Sequence, residues 1–220
     1  ASAALDYRVK QLGFDMALTG CSNKLSTYFN LREKLKLSDH QVAFVGDDII
    51  DLHGGTAYDA GDNIVVDFGS GTGDELMFSN NTDLTAATVT LTNLERIDID
   101  ALTVTMDSSD LTGKTYEIRG DGNAAGGNMT RKLVVTMDEA SADFSGLTFN
   151  NTLAQGAGGL TINGAGGVDT ITDSAGLDTI DGNAGNDVIT LTSDSAADTL
   201  SYATGTDGVK TITGFVNGTD

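Results

Sequence analysis

Proline and tryptophan are absent from the 220 residues, cysteine occurs once and histidine twice. Cys21 has no partner for an internal bridge, so disulfide stapling is excluded and cysteine usage says nothing of the redox compartment. The lack of proline leaves strand ladders unbroken. Basic side chains are also scarce: 12 Lys and Arg face 32 Asp and Glu, for a net charge of -20 and a pI near 4.1. That excess repels nucleic acid and anionic membrane surfaces, and it draws cations. No run of about 18 apolar residues occurs, so no membrane insertion is expected. Residues 1–10 have neither the basic start nor the apolar stretch of a signal peptide. With 39% hydrophobic residues and regular β patterning, the chain is long enough to bury a core without cross-links.

What is present is unevenly spread. Residues 1–53 hold 7 acidic and 6 basic side chains with 3 glycines, whereas residues 54–220 hold 25 acidic and 6 basic with 25 glycines. Three pieces follow: an α/β segment over 1–53, a strand-rich region over 54–150 and a repeat region over 151–220. The expected fold class is mainly β, a β-solenoid or β-roll of stacked strands with glycine-rich turns, preceded by the short α/β segment.

The repeat region carries the strongest signal. Gly164-Ala-Gly-Gly-Val-Asp-Thr-Ile-Thr172 is followed directly by Asp173-Ser-Ala-Gly-Leu-Asp-Thr-Ile-Asp181 and Gly182-Asn-Ala-Gly-Asn-Asp-Val-Ile-Thr190. Asp169, Asp178 and Asp187 keep a nine-residue step, as do Ile171, Ile180 and Ile189 and the glycines Gly167, Gly176 and Gly185. Such a register marks stacked turn-plus-strand units. In the strand half, Ile faces inward and Thr and Asp outward. In the turn half, glycine admits tight backbone and close carbonyls. Stacking the three units would pile their carboxylates about 4.8 Å apart, a spacing that demands a cation between them. A hard dication with about 6 to 8 oxygen ligands suits that set, and Ca2+ is the expected ion. The competing reading is a set of acidic β-turns that binds nothing in particular.

The same stretch resembles the Gly-Gly-x-Gly-x-Asp-x-apolar-x nonapeptide of RTX proteins. The resemblance implies Asp169, Asp178 and Asp187 as side-chain ligands, with Gly164, Gly167, Gly176, Gly182 and Gly185 supplying carbonyls or bends. Ala165, Ser174 and Asn183 replace the second glycine of the pattern and Asp173 the first. Asp198-Thr-Leu200 and Lys210-Thr-Ile212 repeat the strand half with broken spacing, which adds Asp198 to the ligand candidates. Lys210 stands where the ligand Asp would be, a cation in place of a bound ion at a capping turn. Thr211-Ile-Thr-Gly-Phe215 looks like the tail of such arrays in bacterial surface-layer and type I-secreted proteins.

Upstream, Asn63–Phe68, Thr88–Leu91, Ile97–Ile99, Thr103–Met106, Tyr116–Ile118 and Leu133–Met137 alternate as half-buried strands do. Asp107–Asp110 reads as a turn. Gly69-Ser-Gly-Thr-Gly-Asp74 is a degenerate glycine turn, in which Asp62 and Asp74 either bind calcium or serve as ordinary turn residues. It lacks the Lys-Ser/Thr ending of a phosphate loop.

In the first piece, Asn23–Leu37 has helical spacing, Gln41–Gly46 reads as a buried strand and Gly46–Asp51 as an acidic loop at its end. Ser22-Asn-Lys-Leu25 and Val45-Gly-Asp-Asp-Ile-Ile-Asp51 resemble part of the haloacid dehalogenase-type 3-deoxy-manno-octulosonate 8-phosphate phosphatases. By that resemblance Lys24 would steady a phosphoryl group, and Asp47, with Asp51 nearby, would hold Mg2+. The Asp-x-Asp nucleophile of that family has no counterpart before Lys24, so no enzymatic activity is expected.

These readings converge on a calcium-binding structural protein of the bacterial cell surface, extracellular, of surface-layer, matrix-fibre or adhesin type, that folds and assembles as calcium binds. Its expected partners are copies of itself and cell-surface polysaccharide. The alternatives are a Mg2+-dependent phosphatase fragment and an accessory solenoid of a larger secreted enzyme or toxin.

Overall fold

The computed structural model describes residues 58, 60–99, 103–120, 132–150, 159–194, 196–203, 205 and 207–216, together with the backbone strands at 43–45 and 49–51. The chain divides into two compact units, 1–42 and 43–220, and all described residues lie in the second. Short β-branched runs, cut by Gly, Asn and Asp, make strands of two to five residues. In order they are β1 (Ala43–Val45), β2 (Ile49–Asp51), β3 (Asn63–Asp67), β4 (Glu75–Phe78), β5 (Thr82–Asp83), β6 (Thr88–Thr92), β7 (Arg96–Ile99) and β8 (Thr103–Asp107). One helical turn, α1 (Ser108–Leu111), precedes β9 (Glu117–Arg119), β10 (Lys132–Thr136), β11 (Ser141–Asp143), β12 (Thr148–Phe149) and β13 (Leu160–Asn163). β14 (Thr170–Thr172), β15 (Thr179–Asp181), β16 (Val188–Thr190), β17 (Thr199–Ser201) and β18 (Thr211–Thr213) complete the set.

The described part is therefore mainly β, and its sheets are parallel. β1–β3–β6 form one sheet, β2–β4–β7–β9–β12 a second, β5–β8–β10–β13–β15–β17 a third and β11–β14–β16–β18 a fourth. From β13 onward, successive strands alternate between the third and fourth sheets, so each pairs with the strand two further on. Ile162 lies beside Ile180 and Ile171 beside Ile189, each pair 18 residues apart. Two nine-residue units therefore separate neighbours in one ladder.

This register stacks like on like. Met106, Val135, Ile162, Ile180 and Leu200 occupy successive rungs of the third sheet, and the first four are fully buried. Ala142, Ile171, Ile189 and Ile212 do the same in the fourth. In β14, which reads Thr-Ile-Thr, the central side chain is inside because alternate residues of a strand face opposite ways. Parallel strands buried on one face by Ile, Val and Leu columns make a continuous core.

Two local features depart from the sequence expectation. Ile49–Asp51 pairs with β4 as a strand, where an acidic loop is expected, because Ile-Ile favours extended backbone. The ladder thus begins inside the segment that charge assigns to the first piece. Asp107–Asp110, expected as a turn, leads into α1, which Asp138 pins through Ser108 Oγ (2.7 Å), Ser109 N (2.9 Å) and Ser109 Oγ (2.6 Å). The expected helix over 23–37, together with Lys24 and Asp47, lies outside the described residues.

Candidate metal centre

The nine-residue step sends consecutive aspartates to opposite ladders. Asp169 and Asp187 precede β14 and β16 and stand opposite one another, while Asp178 precedes β15 and stands opposite Asp198, before β17. The expected single column of Asp169, Asp178 and Asp187 is therefore two columns. The physical reason is that the chain visits both sheets before returning to the first, so a rung of one sheet is 18 residues deep and not nine.

In the Asp178 column, three carboxylates converge. Asp173, Asp178 and Asp198 each offer an oxygen within 4.8 Å of the others. Asp173 and Asp178 are fully buried and Asp198 is half-buried. Asp178 is held from several directions: its carboxylate accepts from Leu160 N (2.5 Å), Ser174 N (2.8 Å) and Ser174 Oγ (2.8 and 2.9 Å). Its own N–H donates to Asp198 Oδ1 at 2.9 Å. Asp173 Oδ1 accepts from Thr192 N at 2.6 Å, but its Oδ2, fully shielded from solvent, has no hydrogen-bond partner. A buried anionic oxygen with no donor is a costly arrangement unless a cation or proton meets it.

The electrostatics agree. Burial, ahead of the charges of Asp178 and Asp198, pushes the Asp173 carboxyl up to about 7. Burial likewise pushes Asp178 up to about 6, against hydrogen bonds from Leu160 and Ser174 that lower it. The charged groups acting on these two carboxyls are other carboxylates. An all-oxygen set of three acidic groups fits a hard cation of calcium or magnesium type, not a soft metal.

Asp173 escapes sequence reading because it stands at a glycine position of the repeat and looks like a blemish in the pattern. Its signal is local: it is the one added acid in a turn that already ends in Asp178.

In the other column one of the two carboxylates is paired within the chain. Asp169 Oδ2 accepts from Ala165 N at 2.8 Å, and Asp187 Oδ1 accepts from Asp169 N at 2.9 Å. Asp187 Oδ2 meets Lys210 Nζ at 2.6 Å. Asp62 and Asp74 join no group of three metal-binding side chains among the described residues. Asp62 accepts Thr88 N through its main-chain oxygen, and the carbonyl of Asp74 accepts Arg96 N.

Gly164, Gly182 and Gly185 sit where other atoms approach closely, whereas nothing lies within 4 Å of a Cβ added at Gly167. A Cβ on Gly164 would lie 2.4 Å from Gly182 O, and one on Gly185 only 1.9 Å from Gly167 O. Gly176 N donates to Ser174 Oγ at 3.2 Å. Asn183, in a glycine position of the repeat, adopts φ 51°, a conformation asparagine tolerates. Gly185 has φ 135° as well as the close carbonyl. Gly185→Ala should therefore lower the melting temperature by roughly 5–10 °C. Gly166→Ala, where nothing lies within 4 Å of the added atom, should leave it unchanged, and thermal melts followed by circular dichroism check both.

No helix among the described residues is long and apolar enough to cross a membrane. No protein-family model matches the chain, and no curated protein or solved structure matches it either.

Proposed function

We propose that this chain is a calcium-binding structural module of an extracellular bacterial surface, a two-ladder β-solenoid whose turns lock when a divalent cation enters. The observation that carries the reading is the convergence of Asp173, Asp178 and Asp198, together with the buried, orphaned Oδ2 of Asp173. Those three residues come from two neighbouring rungs: Asp173 and Asp178 flank one turn and Asp198 begins the next strand of the same sheet. An ion bound there clamps one rung to the next. Because the three carboxylates are gathered by folding, binding free energy becomes folding free energy.

Millimolar calcium outside a cell would then close the ladder, and scarce calcium inside would leave it open. No role for turnover is assigned to the described residues; their part is to hold strands in register. Assembly of copies belongs to the same reading, supported by Val209, Ile212, Phe215 and Val216, which are exposed near β17 and β18. Each of those two strands has a partner on one side only among the described residues.

Calorimetric titration of the full chain with calcium chloride at neutral pH should show saturable uptake together with a rise in thermal stability. Magnesium chloride should give a much weaker response, because Mg2+ demands strict octahedral geometry and gives up its waters reluctantly. No heat and no stabilisation at millimolar calcium would end the proposal.

A further inference from the structure

Among the described residues, Lys210 is the one cation set into the aspartate columns. The register places it opposite Asp187, as Asp187 stands opposite Asp169, so it occupies the carboxylate position of its rung. Its ammonium touches four oxygens: Asp187 Oδ2 at 2.6 Å, Gly185 O at 3.3 Å and the carbonyls of Asn183 and Asp207. An ammonium has three N–H donors, so four oxygens around one nitrogen resemble the shell of an ion more than an ordinary hydrogen-bond set. One carboxylate and three main-chain carbonyls are hard oxygen ligands of the kind calcium takes. The Lys210 side chain is 7% exposed and that of Asp187 0%. Glycine at 182 leaves the room: a Cβ there would lie 2.5 Å from Asp187 Oδ2 and 3.1 Å from Lys210 Cε.

We propose that the turn of Asp187 is a cation site occupied by the chain's own ammonium, and that removing Lys210 opens it to one divalent cation of calcium type. The two columns then differ in how their charge is balanced. In the other column the Asp187 charge is met at all times by Lys210, whereas the Asp178 column waits for an ion from solution. Calcium therefore acts on one ladder of this region and not on both. The inference rests on the calcium reading for the identity of the ion, yet the two fail separately.

The test is calcium titration by calorimetry on the full chain, for the wild type, Lys210→Met and the double variant Lys210→Met/Asp187→Asn. Lys210→Met should take up one more Ca2+ per chain than the wild type, and the double variant should return to the wild-type number. Equal uptake by Lys210→Met and the wild type, with β circular dichroism retained, overturns the proposal. Uptake of one ion by Lys210→Met but none by the wild type would uphold this site and sink the calcium reading of Asp173, Asp178 and Asp198. Should Lys210→Met fail to fold even in millimolar calcium, amine labelling of the wild type decides. Lys210 should label at least about tenfold more slowly than the exposed Lys132, with calcium and with chelator alike. Labelling at the Lys132 rate refutes the buried ammonium.

Discussion

Asp173→Asn should remove the calcium response of the chain while making the calcium-free protein more stable than the wild type. The two effects have one cause. Asparagine keeps an oxygen where Asp173 Oδ1 accepts Thr192 N. At the position of the orphaned Oδ2 it places an NH2 donor, in the residue that clusters with Asp178 and Asp198. A donor there does within the chain what a bound cation does in the wild type: it answers the carboxylates and removes a charge from the cluster. The same change deletes one of three acidic ligands, and calcium affinity follows ligand charge over several decades, so binding should weaken by about 100-fold or more. At calcium about 100 times the dissociation constant, the wild type gains about 2.7 kcal/mol. For a chain of this size that is a rise of roughly 5–10 °C in melting temperature. The variant should show almost none of that rise, and its melting curves with calcium and with chelator should coincide. Asp110→Ala is the matched comparison, since Asp110 lies on α1 outside the cluster and its loss should leave the calcium shift intact. A full wild-type shift in Asp173→Asn would remove Asp173 from the site.

The residues behind this prediction mark what was legible in the sequence. Ile171, Ile180 and Ile189 announce an inward column by period alone, and all three are buried. Strands expected at Asn63–Phe68, Thr88–Leu91, Thr103–Met106 and Leu133–Met137 coincide with β3, β6, β8 and β10 to within a residue at either end. Those positions are legible because alternation is a property of single strands. Pairing is not, and it is pairing that decides which aspartates meet. A nine-residue period fixes the repeat but leaves open how many repeats complete one rung. The answer of two puts Asp178 with Asp198 and leaves Asp169 with Asp187. Broken spacing hides the rest: Ile180 pairs with Leu200 across 20 residues and Ile189 with Ile212 across 23, so the last rungs fall out of the count while keeping their register in space. The division between the two units is likewise invisible to charge. Charge changes near residue 53, whereas backbone pairing already starts at Ala43.

In the absence of divalent cations, the protein should lose stability as pH rises from about 5 to 8, and calcium should abolish or reverse that loss. The sign follows from the direction of the shifts. Asp173 and Asp178 are raised from an ordinary 3.8 to about 7 and about 6, so the folded state holds their protons more tightly than the unfolded chain does. A group raised on folding contributes stability that is fully present below its unfolded value and is lost as pH climbs through its folded value. Between pH 5 and 8 the unfolded chain has already released both protons, and the folded chain must release them into a buried, acidic site. Each carboxyl then contributes a slope of up to roughly 1.4 kcal/mol per pH unit, full between its unfolded and folded values and fading above the latter, so Asp173 sustains its slope to about pH 7. Asp107 and Asp110, raised to about 6 chiefly by burial, add to the fall between pH 5 and 7 whether or not calcium is present. From pH 6 to 7 the largest single share of the slope belongs to Asp173, and calcium should matter most as those protons leave: an ion replaces them, so the sign inverts once the ligands are free to bind it. Chemical denaturation at pH 5, 6, 7 and 8, with chelator and with millimolar calcium, separates the contributions. A calcium-free stability that is flat or rising from pH 6 to 7 would show that Asp173 does not hold its proton more tightly in the folded protein, and the cation site would lose its electrostatic basis.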